Sequence, residues 1–276
     1  MSIAEMQACL ARLYVDDPFR KLFFLDQAAA CEGYRLTETE RNALDGLDSK
    51  TVNFFAGSLK RKREGKFRGS YPLLYKLDPA EIRRYYDRYY QLFPTRPNLP
   101  YREDILQFGR FMEETLATAE ELPTYASDVA KYERLVNTVS LSPVTKPDSN
   151  VPEANDDQPD DLFDILLARP RLDSNTLIET FTYDITAIED ALAAERVPND
   201  LEPGEYYIIF QRVSDTFEPK IFQINFASKK LLDLCSGQRS VLKIVSVLEH
   251  IFRTKDARQD VIDIINQFRS MNVIRM

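Results

Sequence analysis

Along the last third of the chain the spacing of apolar positions changes from two to between three and four, and that change defines the elements. Tyr206-Tyr207-Ile208-Ile209-Phe210-Gln211-Arg212 is an aromatic and β-branched run, which predicts a strand. Lys220 to Phe226 alternates, so that Phe222, Ile224 and Phe226 share one face and Ile221, Gln223 and Asn225 the other; it predicts a second strand paired with the first. Three short amphipathic helices follow. In one of them Ser240 caps a helix whose Val241, Ile244, Val245, Leu248, Ile251 and Phe252 keep the i, i+3, i+4, i+7 spacing, and Val261, Ile264, Ile265 and Phe268 repeat it in the next.

A small sheet carrying three helices is the winged-helix plan. The first half of the chain reads differently, as helix after helix. Ile3, Met6, Leu10 and Leu13 form one stripe, and Asp17-Pro18 supplies a cap and a first-turn proline for a helix bearing Phe19, Leu22 and Phe23. Thr37-Glu38-Thr39-Glu40 is a capping box. Asp48 or Ser49 caps a helix with Val52, Phe55, Ala56 and Leu59 on its face, and Asp78-Pro79 opens one with Ile82, Tyr85, Tyr86, Tyr89 and Tyr90. Two more helices are predicted at about Tyr101 to Glu121 and Tyr125 to Val139, separated by Pro123. The predicted fold class is α+β: an amino-terminal all-α helical bundle over 1–140 followed by a small winged-helix-like α+β domain over 162–276.

Between them, 141–161 predicts a linker, because its four prolines and its acids leave almost nothing apolar to bury. Six acids and no base lie between Glu153 and Asp164, so most of the net charge of −8 sits at this joint and says little about partners of the folded parts. Apolar runs are too short for a membrane span and the amino terminus lacks a signal-peptide layout, which together predict a cytoplasmic protein. Cys9, Cys31 and Cys235 are far apart in sequence and form no C-x-x-C pair, so neither a disulfide framework nor a zinc site is expected.

Catalytic chemistry finds no residues to carry it. The chain has one histidine, His250, in a predicted last helical turn where the helix dipole favours a cation. No Ser/His/Asp set, H-E-x-x-H, Walker loop or G-x-G-x-x-G is present. The acidic clusters fall where paired carboxylates could not be desolvated. No enzyme, metal or cofactor is expected.

One segment admits three readings, one of them a nucleic-acid surface on which basic residues track a backbone and tyrosines stack bases. Lys60-Arg61-Lys62-Arg63, Lys66 and Arg68 put six cations within nine residues, close before the tyrosine-rich stretch Tyr71 to Tyr90. Cations at a helix end and tyrosines on a half-buried face give a structural reading. A protein-partner surface using Arg61, Arg63, Tyr86 and Tyr90 is the third, since tyrosine and arginine concentrate in interfaces.

The stretches Leu13 to Arg20, Leu36 to Leu44 and Phe54 to Arg63 resemble the small helical domains of bacterial peptide-modification systems. Leu177 to Asp184, a short helix to Glu195, and Tyr206 to Leu234 resemble the carboxyl-terminal domain of HvfC-type and BufC-type partner proteins and, more distantly, the PqqD-like winged helix that recognises leader peptides. The resemblance implies a non-catalytic subunit in the maturation of ribosomally synthesised peptides. Such a subunit pairs as a heterodimer with a multinuclear non-heme iron oxidase, which holds the iron, and presents the precursor peptide to it. The leader would add as a strand to an exposed edge, bordered by Ile221, Gln223 and Asn225. The alternative is a winged-helix DNA-binding regulator, which a near-neutral helix from Ala257 to Met271 disfavours.

Overall fold

The computed structural model of the chain describes residues 3–95, 99–142, 162–199, 201–212 and 218–276. The fold is α+β, with a helical amino-terminal part and a small antiparallel sheet toward the carboxyl terminus. It divides into two compact units, Met1–Arg134 with Ala191–Val197, and Leu135–Asp190 with Pro198–Met276. Most of the predicted linker, 143–161, lies outside the described residues.

Polar caps set where the helices of the first unit begin. α1 (Ile3–Val15) is followed by α2 (Asp17–Leu25), whose cap is Asp16, accepting from Phe19 N at 2.9 Å; the predicted Asp17-Pro18 pair forms its first turn instead. Asp26 ends α2 and caps α3 (Gln27–Cys31), a turn of helix that periodicity does not predict. Thr37 and Glu40 form the expected capping box on α4 (Glu38–Asp45). Of the two candidates for the next cap, Asp48 fills the role, accepting from Thr51 N at 2.8 Å. Around these helices Cys9, Leu13, Phe19, Phe23, Cys31, Leu44 and Val52 form one core. It brings Cys9 and Cys31 together as buried free thiols, 3.9 Å between sulfurs, and burial pushes the Cys9 thiol up to about 12.

α5 (Ser49–Ser70) is much longer than its apolar stripe suggests, and the basic run lies inside it rather than at its end. The reason is Arg63. Its side chain is turned inward and 6% exposed, with Nε and Nη2 donating to the Asp104 carboxylate at 3.0 and 2.5 Å and Nη1 donating to the Phe93 carbonyl at 2.8 Å. Four residues on, Phe67 stacks on Phe108 with ring centroids 4.3 Å apart, and Tyr86 and Tyr89 meet the same rings edge-on. Phe108 and Asp104 come from α8 (Tyr101–Leu116), which stops short of the predicted Glu121, and the tyrosines from α7 (Pro79–Leu92), capped by Asp78 as expected. Between α5 and α7 lies α6 (Pro72–Leu77), not predicted by periodicity. The Glu133 carboxylate of α9 (Ala126–Ser140) accepts from Leu73 N and Leu74 N at 2.7 and 2.9 Å, capping α6 from another helix. Gly109 is required where α8 meets Tyr71: a Cβ there would lie 2.2 Å from the phenol oxygen, which donates to the Ile105 carbonyl at 2.7 Å.

After the end of α9, the second unit continues with α10 (Leu162–Leu167) and β1 (Arg171–Leu172), which pairs with the terminal β5 (Ile274–Arg275). Its main sheet has the antiparallel order β2 (Thr176–Phe181), β3 (Tyr206–Gln211), β4 (Lys220–Ile224). α11 (Ile185–Ala193) lies between β2 and β3 in sequence, and α12 (Phe226–Leu234), α13 (Val241–Phe252) and α14 (Arg258–Ser270) follow β4. One core joins Ile209 of the sheet to Leu231, Val241, Ile244, Val245, Val261, Ile265 and Phe268 of the three helices. The arrangement is compatible with the winged-helix plan. No helix among the described residues is long and apolar enough to cross a membrane.

Two outcomes follow for the first unit. Arg63→Ala should destabilise by about 3–5 kcal/mol, because it strands the buried Asp104 carboxylate, whereas Arg61→Glu should change stability by no more than about 0.5 kcal/mol; denaturant melts compare them. Burial holds the phenols of Tyr71, Tyr86, Tyr89 and Tyr90 above their ordinary range. A pKa raised on folding gives stability that is fully present below the unfolded value of about 10 and lost as pH rises through and above it. Phenolate absorbance of these tyrosines should therefore grow together with loss of the helical circular dichroism signal above about pH 10, not before it.

Candidate functional site

β3 is buried from Tyr207 to Gln211 and apolar up to Phe210, as a central strand must be, whereas β4 is nowhere fully buried and has a neighbour on one side only. The register fixes what that edge offers. Arg212 N donates to Asn175 O at 2.9 Å, and Thr176 lies opposite Gln211, so the main-chain groups of residues 212, 210 and 208 point toward β2 and those of 211, 209 and 207 toward β4. Lys220, Phe222 and Ile224, opposite 211, 209 and 207, therefore complete the β3 ladder. The N–H and C=O groups of Ile221 and Gln223 face outward, and no described residue bonds to them.

Side chains divide around this edge. Phe222 and Ile224 are half-buried against the helical core, as the alternation predicts. Gln223 is exposed, its amide 3.0 Å from Thr186 Oγ1, a hydroxyl that donates to Asp184 Oδ1 at 2.6 Å. Ile221 lies on the sheet face of Phe210 and Ile208, both fully buried, and is itself half-buried, whereas Gln223 on the same face is exposed. Asn225 corrects the sequence reading: it is not a strand residue but the cap of α12, its side-chain oxygen accepting from Ser228 N at 2.8 Å. The strand ends at Ile224 because that cap and the helix after it compete successfully with continued pairing. Phe226, predicted to lie on the strand's inner face, is the first residue of α12 and 45% exposed.

That exposed ring belongs to a shelf that sequence reasoning missed. Phe226 packs edge-on against Phe252, itself 39% exposed, and lies 6.2 Å from the Tyr207 ring, while the Lys230 ammonium sits 5.1 Å from its centroid. The neighbouring Ile251 is also exposed. Apolar spacing on α13 assigned Ile251 and Phe252 to the core. The signal that could have exposed the error is their place in the last turn, beside His250 and Arg253. Along the sequence, seven lysines and arginines lie between Lys220 and Lys255 against two acids, in a chain whose net charge is −8; Lys230 is the one shown at the shelf, and Lys229 pairs with Asp233.

The residues predicted for a partner surface separate. Arg61 is exposed, as that reading needs. Arg63, Tyr86 and Tyr90 are buried, the first paired with Asp104 and the second donating to the Lys60 carbonyl at 2.7 Å, so they hold the bundle together and cannot touch a partner. Among the described residues no three His, Cys, Asp or Glu side chains are grouped to hold a metal ion. Comparison with protein-family models finds no match, and neither does comparison with curated proteins.

Asn225→Ala should lower stability by about 1 kcal/mol, the usual worth of a helix cap, as read by denaturant unfolding. An unchanged midpoint would mean that Asn225 does not cap α12 in solution.

Proposed function

We propose that this chain is a non-catalytic partner subunit that binds the leader of a ribosomally made precursor peptide and presents it to a multinuclear non-heme iron oxidase. The observation that carries the reading is the outward main chain of Ile221 and Gln223 beside the exposed Phe226 and Phe252. An extended leader segment adds to β4 as a fourth strand, bonding to those groups, and its alternate side chains rest against Phe222, Ile224 and the aromatic shelf. The cations between Lys220 and Lys255 favour a leader with acidic residues. Iron belongs to the oxidase, since a chain with one histidine lacks the imidazoles such a centre uses. The subunit works in the cytoplasm, where precursors are made, as one half of a heterodimer.

One observation favours a second reading. The same cations would neutralise phosphates if the unit read duplex DNA as a winged helix. Against it, α14 balances Arg258 and Arg269 with Asp260 and Asp263, so the helix has no positive face for a groove.

The two readings differ in salt dependence. Wild type and Gln223→Pro, matched for folding by circular dichroism, are titrated with a leader peptide from the neighbouring precursor and with duplex DNA. Proline at 223 removes an outward donor and leaves the β3 ladder intact, so leader binding should be lost in the variant alone and should weaken only modestly as salt rises. Binding of duplex DNA that falls log-linearly with salt, with no affinity for the leader, would defeat the peptide reading.

A further inference from the structure

Two thiols meet inside the first unit. Cys9, in the middle of α1, and Cys31, the last residue of α3, are both buried, and their sulfurs lie 3.9 Å apart although the residues are 22 positions apart in the chain. They share one core with Leu13, Phe19, Phe23, Ala30 and Leu36. Cys235 offers the contrast of a cysteine that only packs: it is as deeply buried, it is the one cysteine of the second unit, and it donates its S–H to the Leu231 carbonyl at 3.3 Å. Access to the facing pair is uneven. Cys9 is 0% exposed inside a helix of 13 residues, whereas α3 has only five residues and gives way after Cys31 to the exposed Glu32 and Gly33. Its end is held by Glu32 N, donating to the Ala29 carbonyl at 3.4 Å, and by Tyr34 N, donating to the Cys31 carbonyl at 3.0 Å. Opening that turn uncovers Cys31 and leaves α1 in place. Burial, with Cys31 beside it, keeps the Cys9 thiol protonated, so Cys31 is the sulfur that reacts first.

We propose that Cys9 and Cys31 form a reversible redox latch between α1 and α3, closed by a low-molecular-weight disulfide and opened by the corresponding thiol. In the first step the Cys31 thiolate attacks one sulfur of the oxidant RS–SR; a Cys31–SR bond forms, the RS–SR bond breaks, and one RS⁻ leaves with the proton that Cys31 has lost. Cys9 then gives up its proton and attacks the Cys31 sulfur, and the second RS⁻ leaves with that proton. Two thiols are oxidised by two electrons, and the oxidant is reduced to two RSH. The sulfurs close from 3.9 Å to about 2 Å, and the one-turn α3 is the element that moves. Because the bond closes a loop through α1, α2 and α3, the latched chain resists unfolding of its amino-terminal helices. In a reducing compartment the latch stands open. It involves residues of the first unit only and does not depend on the leader-binding reading.

The test uses the full chain, reduced and desalted, with glutathione disulfide as oxidant. Intact mass should fall by the two hydrogens lost, and tryptic digestion without reductant should give the peptide 1–12 joined to the peptide 22–35. Iodoacetamide in denaturant should then label Cys235 alone. The melting temperature should rise by at least about 5 °C, and excess reduced glutathione should reverse every change. Cys9→Ala and Cys31→Ala should each abolish the link and the rise, whereas Cys235→Ala should keep both. Three thiols that all stay free in the native chain overturn the inference, as does a bridge that forms only in urea or a bridged chain that melts no higher than the reduced one. So does a bridge that excess reduced glutathione cannot open, because that is a structural disulfide and not a latch.

Discussion

The buried Arg63–Asp104 pair is the constraint on which the first unit depends. A guanidinium removed from water is tolerable only if most of its donors are met, and here a carboxylate and a backbone carbonyl meet three of them. The aromatic rings of Phe67, Tyr89 and Tyr90 surround the cation at 5.1 to 5.7 Å and exclude water from the pair. Tyr89 adds its own hydroxyl to Asp104 at 3.0 Å. Helices α5, α7 and α8 are thereby locked in rotation as well as position, since the pair and the Phe67–Phe108 stack lie one turn apart on the same face of α5.

Fixing that rotation determines what α5 shows to solvent. Val52, Ala56, Arg63 and Phe67 fall within one narrow sector of the helix and turn inward together. Phe55, Ser58 and Lys62 then lie on its flank, and Phe54 and Arg61 on the far side. An apolar residue on that flank cannot be drawn into the core without withdrawing Arg63 from Asp104, at a cost of about 3–5 kcal/mol against the roughly 1.5–3 kcal/mol that burying one large side chain returns. The exposure of Phe54 and Phe55 is thus a consequence of the polar pair, not a packing failure.

Legibility in the sequence followed locality. Helix starts at Thr37, Asp48, Asp78 and Ser240 were readable because a cap is an interaction over three residues, β3 because a β-branched and aromatic run is local too, and β4 because alternation is. The interior cation was not. Nothing within a few residues of Arg63 distinguishes it from Arg61, and its burial is decided by Asp104, 41 positions away. Asn225 shows the same limit at short range: strand alternation and a helix cap are both consistent with its neighbours, and tertiary packing of α12 decides between them. At the β4 edge proposed for the leader, Ile221 and Gln223 were identifiable as an outward pair, but what they turn outward is main chain rather than side chains lining a groove.

That distinction shapes what the β4 edge could recognise. Main-chain pairing is nearly indifferent to sequence, so two outward residues supply affinity and direction without choosing a partner. Choice must come from what flanks them, and the flanks differ in kind: on one face Phe210 and Ile208 are buried in the sheet while Gln223 stays exposed, on the other Phe226 and Phe252 stay half-open beside Lys230. A strand added at this edge would turn one set of alternate side chains to the face of Gln223 and the other to the apolar shelf beside Lys230. Its sequence preference would then have a period of two, with apolar residues toward the shelf and acids near its margin.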